Sequence, residues 1–360
     1  MSNAPIRVGI LGLGIGVQHL EAYRTLPDLY TVRTLCDRDI GRAEQAAADL
    51  ASVDIEEEVD RVFEDPEIDL VDICLPPNLH YEVTKKALEE GKHVVCEKPL
   101  VGSLREVDEL DQLSRARDRL LAPVFQYRYG PGLAALKALI AGGLAGKPYI
   151  ASLETHWNRG AKYYAIPWRG TWAGENGGAV LGHAIHSHDL LCYVLGPVAR
   201  ISAVTATRVN PIETEDCAAV QFTMENGALA TSSITLGAAE NTSRLRFCFE
   251  GLTAESDNLP YKPAEGNWRF TARDPDQQGE IDAIVSASAD AKSGFVGFFS
   301  AVANAINGSP GNEVTVRDGR RSIELVSAIY LAAQTAHSVE LPLNQESPVY
   351  SGWTQSLITT

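Results

Sequence analysis

The sequence predicts an α/β protein with a doubly wound parallel sheet in its N-terminal third and a different, strand-rich arrangement in its second half. Strand-like and helix-like segments alternate from Ile6 to Asp118, and a glycine-rich turn follows the first strand. After residue 200 the alternation stops, and extended segments are separated by turn signals such as Glu225-Asn226-Gly227. The polar stretch 257–278 is predicted to be a loop or an insertion.

The first element is an apolar run, Ile6 to Leu11, of the kind that forms a buried parallel strand. It is followed by Gly12, Gly14 and Gly16, and then by a helical pattern of apolar residues. A strand, a glycine turn and a helix together let backbone N–H groups and the helix N-terminus bind a pyrophosphate. The spacing G-x-G-x-G is one residue tighter than the usual G-x-G-x-x-G, so the glycines alone give weak support for a dinucleotide site.

The second strand, in YTVRTLCDRD, is predicted to end at Asp37. An acidic residue at this distance from the glycines bonds the adenosine ribose hydroxyls of NAD and repels the 2′-phosphate of NADP. The neighbouring Arg38 could offset part of that repulsion. NAD is therefore the expected cofactor, with NADP less favoured. The structural alternative is a turn followed by a surface aspartate.

The alternation continues with a helix in GRAEQAAADLA, a strand in IDLVDICLP, a helix in HYEVTKKALEEGK, a strand in HVVCEKPL and a helix that Ser103 could cap. Repeated βα units predict a parallel sheet that binds ligands at the carboxyl ends of its strands. Besides Asp37, the candidate cofactor contacts at these strand ends are Leu75, Pro76, Asn78, His80, Glu97 and Lys98.

Length and composition limit the classes of function. A chain of 360 residues, 45% hydrophobic and 22% charged, can form two globular domains. Its formal net charge of -16 disfavours binding to nucleic acid. Six scattered cysteines without a CxxC pair indicate reduced thiols. The N-terminus lacks a signal-peptide pattern. No apolar run is long enough to span a bilayer. We therefore expect a cytoplasmic protein that does not contact membranes.

The stretch VVCEKPL, a strand ending in Glu-Lys-Pro downstream of a glycine turn and an LPPNLH strand end, resembles the Gfo/Idh/MocA oxidoreductase family, which includes glucose–fructose oxidoreductase and inositol dehydrogenase. Four further segments fit this family in the same order: GLAGKPY, PWRGTW, GGAVLGHAIHSHDLL and DGRRSIELVSAIYLAAQTAHSVELPL. The resemblance covers nearly the whole chain. It implies a Rossmann NAD-binding domain at residues 1–125 and, at residues 126–360, a substrate-binding and oligomerisation domain with an open, mostly antiparallel sheet.

Lys98 follows a strand end and precedes Pro99, so its ammonium could point at a substrate hydroxyl. There it would stabilise the alkoxide that develops as hydride leaves the same carbon. Glu97 could orient Lys98 or bond the nicotinamide ribose. An ordinary surface lysine is the alternative, whereas the resemblance implies that Lys98 is catalytic and contacts both cofactor and substrate.

Three of the eight histidines, His183, His186 and His188, lie close together and are followed by Asp189. The spacing of His183, His186 and Asp189 could hold zinc, but the chain has no H-E-x-x-H motif and no cysteine pair nearby. The histidines could instead only pack and cap, which suits His188. The third interpretation is proton transfer, for which histidine is suited because its ordinary pKa of about 6.5 lies near working pH.

The family pattern G-G-G-x-L-x-D-x-G-x-H-x-x-D places His186 at the catalytic histidine and Asp189 at the final acid, which would orient the helix or a neighbour. The resemblance also implies that His183 bonds a substrate hydroxyl. The family's aspartate, four positions before the histidine, falls on Gly182, so this chain lacks the acid that commonly partners the lysine and histidine. No metal is expected.

Aromatic and basic residues precede this cluster in ETHWNRGAKYYAIPWRGTW. Tryptophan can stack on a sugar, so Trp157, Arg159 and Tyr163 are candidate substrate contacts, with packing as the alternative. The family register adds three residues: Gln126 as a substrate contact, and Trp168 and Arg169 as cofactor contacts.

The resemblance implies an NAD(H)-dependent dehydrogenase that oxidises a secondary hydroxyl of a sugar, cyclic polyol or sugar derivative, or reduces the keto sugar. One alternative is a redox cycle on tightly bound NAD, in which a keto intermediate drives elimination or hydrolysis of a glycoside. Another is a protein that binds NAD without catalysis; Lys98 and His186 argue against it and Gly182 argues for it. We expect a homodimer or homotetramer.

Overall fold

The first unit of the chain is built on a parallel sheet. A computed structural model describes residues 4–50 and 52–353. The strands of this sheet are β1 (Ile6–Leu11), β2 (Tyr30–Cys36), β3 (Asp54–Glu56), β4 (Leu70–Ile73), β5 (His93–Cys96) and β6 (Leu121–Pro123). They lie in the order β3-β2-β1-β4-β5-β6, and every pair is parallel. The order reverses between β1 and β4, where ligands bind in such folds. The doubly wound Rossmann sheet is confirmed.

Helices connect these strands as the alternation predicts: α1 (Gly16–Arg24), α2 (Ile40–Ala47), α3 (Val59–Glu64), α4 (His80–Glu89) and α5 (Leu104–Arg117). The predicted cap of α5 is present, because Ser103 Oγ accepts a hydrogen bond from the backbone N–H of Glu106 at 3.2 Å. The sequence did not predict β3 or α3. With three and six residues, they are too short to show a period.

The second unit contains an eight-stranded sheet of β7 (Pro148–Asn158), β8 (Val198–Ala206), β9 (Cys217–Met224), β10 (Leu229–Thr235), β11 (Gly237–Phe249), β12 (Leu252–Glu255), β13 (Arg269–Ala272) and β14 (Val339–Glu340). The strand order is β13-β12-β11-β7-β10-β9-β8-β14. Only β7 and β10 pair in parallel among the described strands of this sheet, so the mostly antiparallel prediction is confirmed.

The polar stretch 257–278 was predicted to be a loop or an insertion, and the loop interpretation is wrong for part of it. β13 lies inside the stretch and pairs with β12. Phe270 is 7% exposed and opposite Ala254, and the alternation in WRFTA at 268–272 is too short to stand out from the polar residues around it. Paired edge strands of four residues give little periodic signal.

The helices of the second unit are α6 (Pro131–Ala141), α7 (Ala161–Tyr164), α8 (Trp172–Glu175), α9 (Ile185–Leu195) and α10 (Gln278–Ala287). A π-helical turn, Val180–Ala184, leads directly into α9. The sheet has one buried face: on β9, Val220, Phe222 and Met224 are at most 2% exposed, whereas the alternate residues Ala219 and Gln221 are exposed.

The last helices are α11 (Gly294–Ile306) and α12 (Val316–Thr335). The compact units comprise residues 1–125 with 295–320, and residues 126–294 with 321–360. The sequence placed 295–320 in the second domain, and the structure groups this segment with the first. Aromatic packing accounts for the difference: the Phe299 ring lies 4.0 Å from that of Tyr23, and its carbonyl accepts a hydrogen bond from Tyr30. None of the described helices is long and apolar enough to cross a membrane.

Candidate active site

The glycine-rich turn joins β1 to α1. Gly12 has a φ of 87°, and a Cβ at this position would lie 2.6 Å from the carbonyl oxygen of Cys74. Only glycine therefore allows the turn to approach the end of β4 so closely. A Cβ at Gly14 would meet nothing within 4 Å, and Gly16 is the first residue of α1. In this tighter motif, the third glycine marks the helix start, which supports an anion-binding turn.

Asp37 follows β2 and contacts this turn. Its carboxylate accepts hydrogen bonds from the backbone N–H groups of Leu13 at 2.7 Å and Asp39 at 2.9 Å. A carboxylate has about four acceptor sites, so capacity remains for ribose hydroxyls. The cation that contacts Asp37 is Arg42, whose Nη1 lies 3.3 Å from Oδ2, and it was not predicted. Arg38 is exposed.

The other candidate cofactor contacts follow β4 and β5: Leu75, Pro76, Asn78, His80, Glu97 and Lys98. His80 is fully buried, with Nδ1 2.7 Å from the carbonyl oxygen of Pro99 and Nε2 2.8 Å from that of Leu75. Burial lowers the pKa of His80, against the two carbonyl acceptors, which favour a proton on each nitrogen. His80 thereby connects the two strand ends.

Glu97 belongs to a buried charged cluster. His19 on α1 lies between two carboxylates, with Nδ1 2.9 Å from Asp72 and Nε2 3.2 Å from Glu97. The second Glu97 oxygen accepts the backbone N–H of Lys98 at 3.0 Å. Burial disfavours the charged ring, but Asp72 raises the pKa of His19 well above its ordinary value. Burial also opposes ionisation of Glu97, yet contact with His19 lowers its pKa. The Glu97 carboxylate therefore fixes the backbone at Lys98.

His19 and Asp72 were missed in the sequence, although one signal was present. Asp72 is a charged residue in a strand with apolar neighbours, and a buried carboxylate requires a partner. Among residues 4–50 and 52–353, the only three histidine, cysteine or acidic side chains with ligand atoms within 4.8 Å are those of His19, Asp72 and Cys74. The zinc interpretation of residues 183–189 therefore gains no support from this part of the chain.

In the second unit, His183 lies in the π-helical turn and His186 in the first turn of α9. Their rings are buried, at 6% and 4% exposure. The His186 ring stacks on Tyr127 with centroids 4.1 Å apart. The His183 ring lies 5.2 Å from Trp157 and 5.8 Å from Tyr163. The structure thus places His183 beside two of the predicted substrate contacts.

Asp189 forms a buried ion pair with Arg128. Its oxygens accept hydrogen bonds from Nε, at 2.7 Å, and from Nη2 of the guanidinium. The two side chains are 4% and 6% exposed. The pair connects α9 to the short helical turn Gln126–Arg128, where the predicted substrate contact Gln126 has a buried Oε1 without a hydrogen-bond partner. This geometry gives Asp189 a structural role.

His188 is a packing residue. Its Nε2 lies 3.1 Å from Ser232 Oγ, and its ring meets Phe222. Burial lowers the pKa of His188 to about 4, so the ring is neutral. This supports the packing interpretation for His188.

Glu215 anchors the start of the histidine segment and was not predicted. Its carboxylate accepts hydrogen bonds from the backbone N–H groups of Gly178 at 3.0 Å and Val180 at 2.9 Å, and from the Tyr330 hydroxyl at 2.9 Å. Burial raises the pKa of Glu215 to about 7, against these donors. At Gly182, between this anchor and α9, a Cβ would meet nothing within 4 Å.

The remaining candidate contacts surround a cleft of about 670 Å³, whose eight lining residues all fall within 158–169. The Arg159 guanidinium lies 5.0 Å from the Trp157 ring and 5.2 Å from the Tyr163 ring. The Arg169 guanidinium lies 3.9 Å from Tyr163 and 4.8 Å from Trp168. The structure therefore brings the five predicted aromatic and basic residues into one cluster.

Comparison with protein families gives two matches. Residues 6–125 match the oxidoreductase family with an NAD-binding Rossmann fold, and residues 133–255 match the GFO/IDH/MocA C-terminal domain. The chain is 28% identical over 220 residues to D-glucoside 3-dehydrogenase of Escherichia coli, covering 60% of this chain and 61% of the relative. It is 28% identical over 233 residues to myo-inositol 2-dehydrogenase of Thermotoga maritima, covering 62% and 66%. The alignments thus span less than two thirds of each of these two relatives.

Among solved structures, the chain is similar to the WlbA dehydrogenase from Bordetella pertussis in complex with NADH and UDP-GlcNAcA. The TM-score is 0.82 and the identity 26%, covering 96% of this chain and 100% of that chain. The fold of each unit and both family matches agree with the order of the sequence motifs. The chain therefore belongs to the Gfo/Idh/MocA family of oxidoreductases, with an NAD-binding Rossmann fold at residues 6–125.

Proposed function

We propose that the protein is an NAD(H)-dependent dehydrogenase that oxidises a secondary hydroxyl of a sugar, cyclic polyol or sugar derivative, or reduces the corresponding keto sugar. The observation that carries this proposal is the sheet edge where the Gly12 turn, the Asp37 carboxylate and the fixed backbone of Lys98 occur together. Relatives named as glucoside and inositol dehydrogenases support the substrate class.

The residues at this edge fit NAD. A pyrophosphate requires close approach to backbone N–H groups, which the glycine turn and the start of α1 provide. Asp37 would hold the adenosine ribose. When bound, NAD supplies a nicotinamide that accepts the hydride. The further cofactor contacts that we propose are Arg38, Leu75, Pro76, Asn78, His80, Glu97, Lys98, Trp168 and Arg169.

Lys98 and His186 carry the catalytic roles in this proposal. The Lys98 ammonium stabilises the negative charge on the substrate oxygen, and the ionised Glu97 fixes the backbone from which Lys98 extends. His186 accepts the hydroxyl proton, with its ring held against Tyr127. The substrate contacts that we propose in residues 126–360 are Gln126, Trp157, Arg159, Tyr163 and His183.

A screen of sugars and polyols for NADH formation, with NAD and NADP compared, tests this function. We expect at least about tenfold preference for NAD, or about 1.4 kcal/mol, because Asp37 would face the 2′-phosphate of NADP. Asp37→Ser should narrow this preference, whereas Asp54→Ser, at a 67% exposed side chain, should not. Equal or better turnover with NADP would contradict the preference and would implicate Arg42 or Arg38.

NAD that copurifies and is never released would favour the alternative function, a redox cycle on tightly bound NAD in which a keto intermediate drives elimination or hydrolysis of a glycoside.

The open face of the second sheet supports a proposal about assembly. Ile150 and Leu229 are direct partners across β7 and β10 and are 47% and 52% exposed, and Val204 on β8 is 69% exposed. Covering such apolar side chains favours association. We expect a homodimer or homotetramer in light scattering at micromolar concentration. Leu229→Glu should shift it towards monomer, but Leu259→Glu should not. A monomeric wild-type protein would contradict this proposal.

A further inference from the structure

The cleft lined by residues 158–169 is positively charged in a protein whose formal net charge is -16. Three of its eight lining residues are cationic, Arg159, Lys162 and Arg169, and none is acidic. In an acidic chain, three cations around one cleft require an explanation, because like charges brought together repel. The simplest explanation would be that each cation forms an ion pair with a nearby carboxylate.

The contacts of two of these cations exclude that explanation. Within residues 4–50 and 52–353, no carboxylate forms an ion pair with Arg159 or Lys162, whereas Glu175 pairs with Arg169 at 4.0 Å. Arg159 donates instead to neutral oxygens, including the Tyr261 hydroxyl at 2.8 Å. The Nε atom of Arg169 is buried without a hydrogen-bond partner. Among the described residues, the charges of Arg159 and Lys162 are therefore not neutralised by a paired carboxylate.

Aromatic rings hold the two guanidinium groups in place. Tyr163 contacts both, with centroid distances of 5.2 Å to Arg159 and 3.9 Å to Arg169. Arg159 also lies 5.7 Å from the ring of Tyr261. Ring contacts orient the two guanidinium groups. Three Arg159 N–H groups donate to neutral oxygens, so an anion would use its remaining N–H donors or displace one of these neutral acceptors. The arrangement is preorganised for an anionic ligand.

The cleft adjoins the proposed substrate contacts. Tyr163, which lines it, lies 5.8 Å from the ring of His183, and Trp157, which packs on Arg159, lies 5.2 Å from the same ring. A group bound in the cleft would thus be one side chain away from the residue proposed to contact a substrate hydroxyl. That spacing suits two parts of a single sugar molecule.

We propose that this cleft binds an anionic group of the substrate, a carboxylate or a phosphate, so that the enzyme acts on an acidic sugar in preference to a neutral polyol. The inference rests on the proposed dehydrogenase function. Arginine binds both groups through two parallel hydrogen bonds, which supplies orientation as well as charge. Binding at Arg159 and Arg169 would fix which hydroxyl faces His183, and Arg169 would then contact the substrate anion and not the cofactor.

Calorimetric titration of the full-length protein with D-glucuronate, D-glucose 6-phosphate and D-glucose tests the proposal, with saturating NADH present so that cofactor phosphates do not compete. We expect at least one of the two anions to bind about tenfold or more tightly than glucose. The tighter of the two identifies the group as carboxylate or phosphate. Equal binding of all three sugars, or no binding of either anion, would overturn the proposal.

Substitutions of the cationic lining residues test whether the preference for an anionic sugar arises in this cleft. Arg159→Gln combined with Arg169→Gln should remove most of the preference for the anion, and Lys162→Gln, at an exposed side chain, should weaken it severalfold without loss of packing. Arg200→Gln removes the same charge from β8, three strands from β7, and should leave the preference unchanged. A double variant that folds and keeps the full preference would overturn the assignment to this cleft.

The outcome also separates this inference from the function on which it rests. Oxidation of neutral polyols with NAD, together with no binding of either anion, would overturn the acidic-sugar inference and leave the dehydrogenase function standing. Tight binding of an anion that depends on Arg159 and Arg169, with no NADH formed from any sugar, would support the anion site and count against the dehydrogenase function.

Discussion

Replacing His186 with alanine is expected to lower kcat by roughly a hundredfold or more, the usual scale for the loss of a general base. The affinity for NAD should survive, because His186 lies at the start of α9 while the glycine turn and Asp37 belong to the first unit. Steady-state kinetics and an NADH titration measure the two effects. Lys98→Ala should resemble His186→Ala in kcat, and the double variant should be far from additive because the two residues act as a unit.

His183→Ala is the matched comparison. This substitution removes a proposed hydroxyl contact, so its effect on kcat/KM should depend on the sugar. A fully active His186→Ala enzyme would contradict proton transfer by this residue. If chelators then abolished activity and metal analysis found zinc, the zinc interpretation would replace it. If activity resisted chelation, the base would have to be sought at Lys98.

Replacing Asp189 with alanine is expected to lower the free energy of unfolding by about 3–5 kcal/mol, because the buried guanidinium of Arg128 would lose its carboxylate. Urea titration followed by fluorescence measures the change. Asp111→Ala breaks an exposed pair with Arg115 on α5 and should cost about 0.5 kcal/mol or less.

The double variant Arg128→Met with Asp189→Leu tests whether the lost stability comes from an unpaired buried charge or from lost packing. Apolar residues of similar volume often replace a buried ion pair at little cost, so the double variant should recover most of the stability lost in Asp189→Ala. A loss below about 1 kcal/mol in Asp189→Ala would show that the pair does not anchor α9.

The parallel sheet could be predicted because its signals are local. The apolar run from Ile6 to Leu11 is β1 without change, and Ser103 caps α5 through a hydrogen bond to a residue three positions away. The position of 295–320 could not be predicted in this way. It depends on Phe299 meeting Tyr23 and Tyr30, more than 260 residues earlier in the chain, and distant ring packing leaves no periodic pattern.

The same distinction between local motifs and distant contacts applies to the candidate site. Motifs identified residues at the strand ends, such as Asp37 and Lys98, because chain spacing alone sets that edge. The supporting residues were missed: His19 reaches Glu97 across 78 positions and Glu215 reaches Val180 across 35. The π-helical turn before α9 was missed as well, because a turn widened by one residue has the same composition as an α-helix.

Gly182 has a consequence for the history of this enzyme. A Cβ at this position would meet nothing within 4 Å, so the first atom of a side chain fits there without displacing a neighbour. A glycine in a helical turn costs about 1 kcal/mol relative to alanine, so helix stability does not explain its presence. Two of the four glycine codons differ from an aspartate codon by one base. From either of them, a lineage could exchange the two residues in a single mutational step.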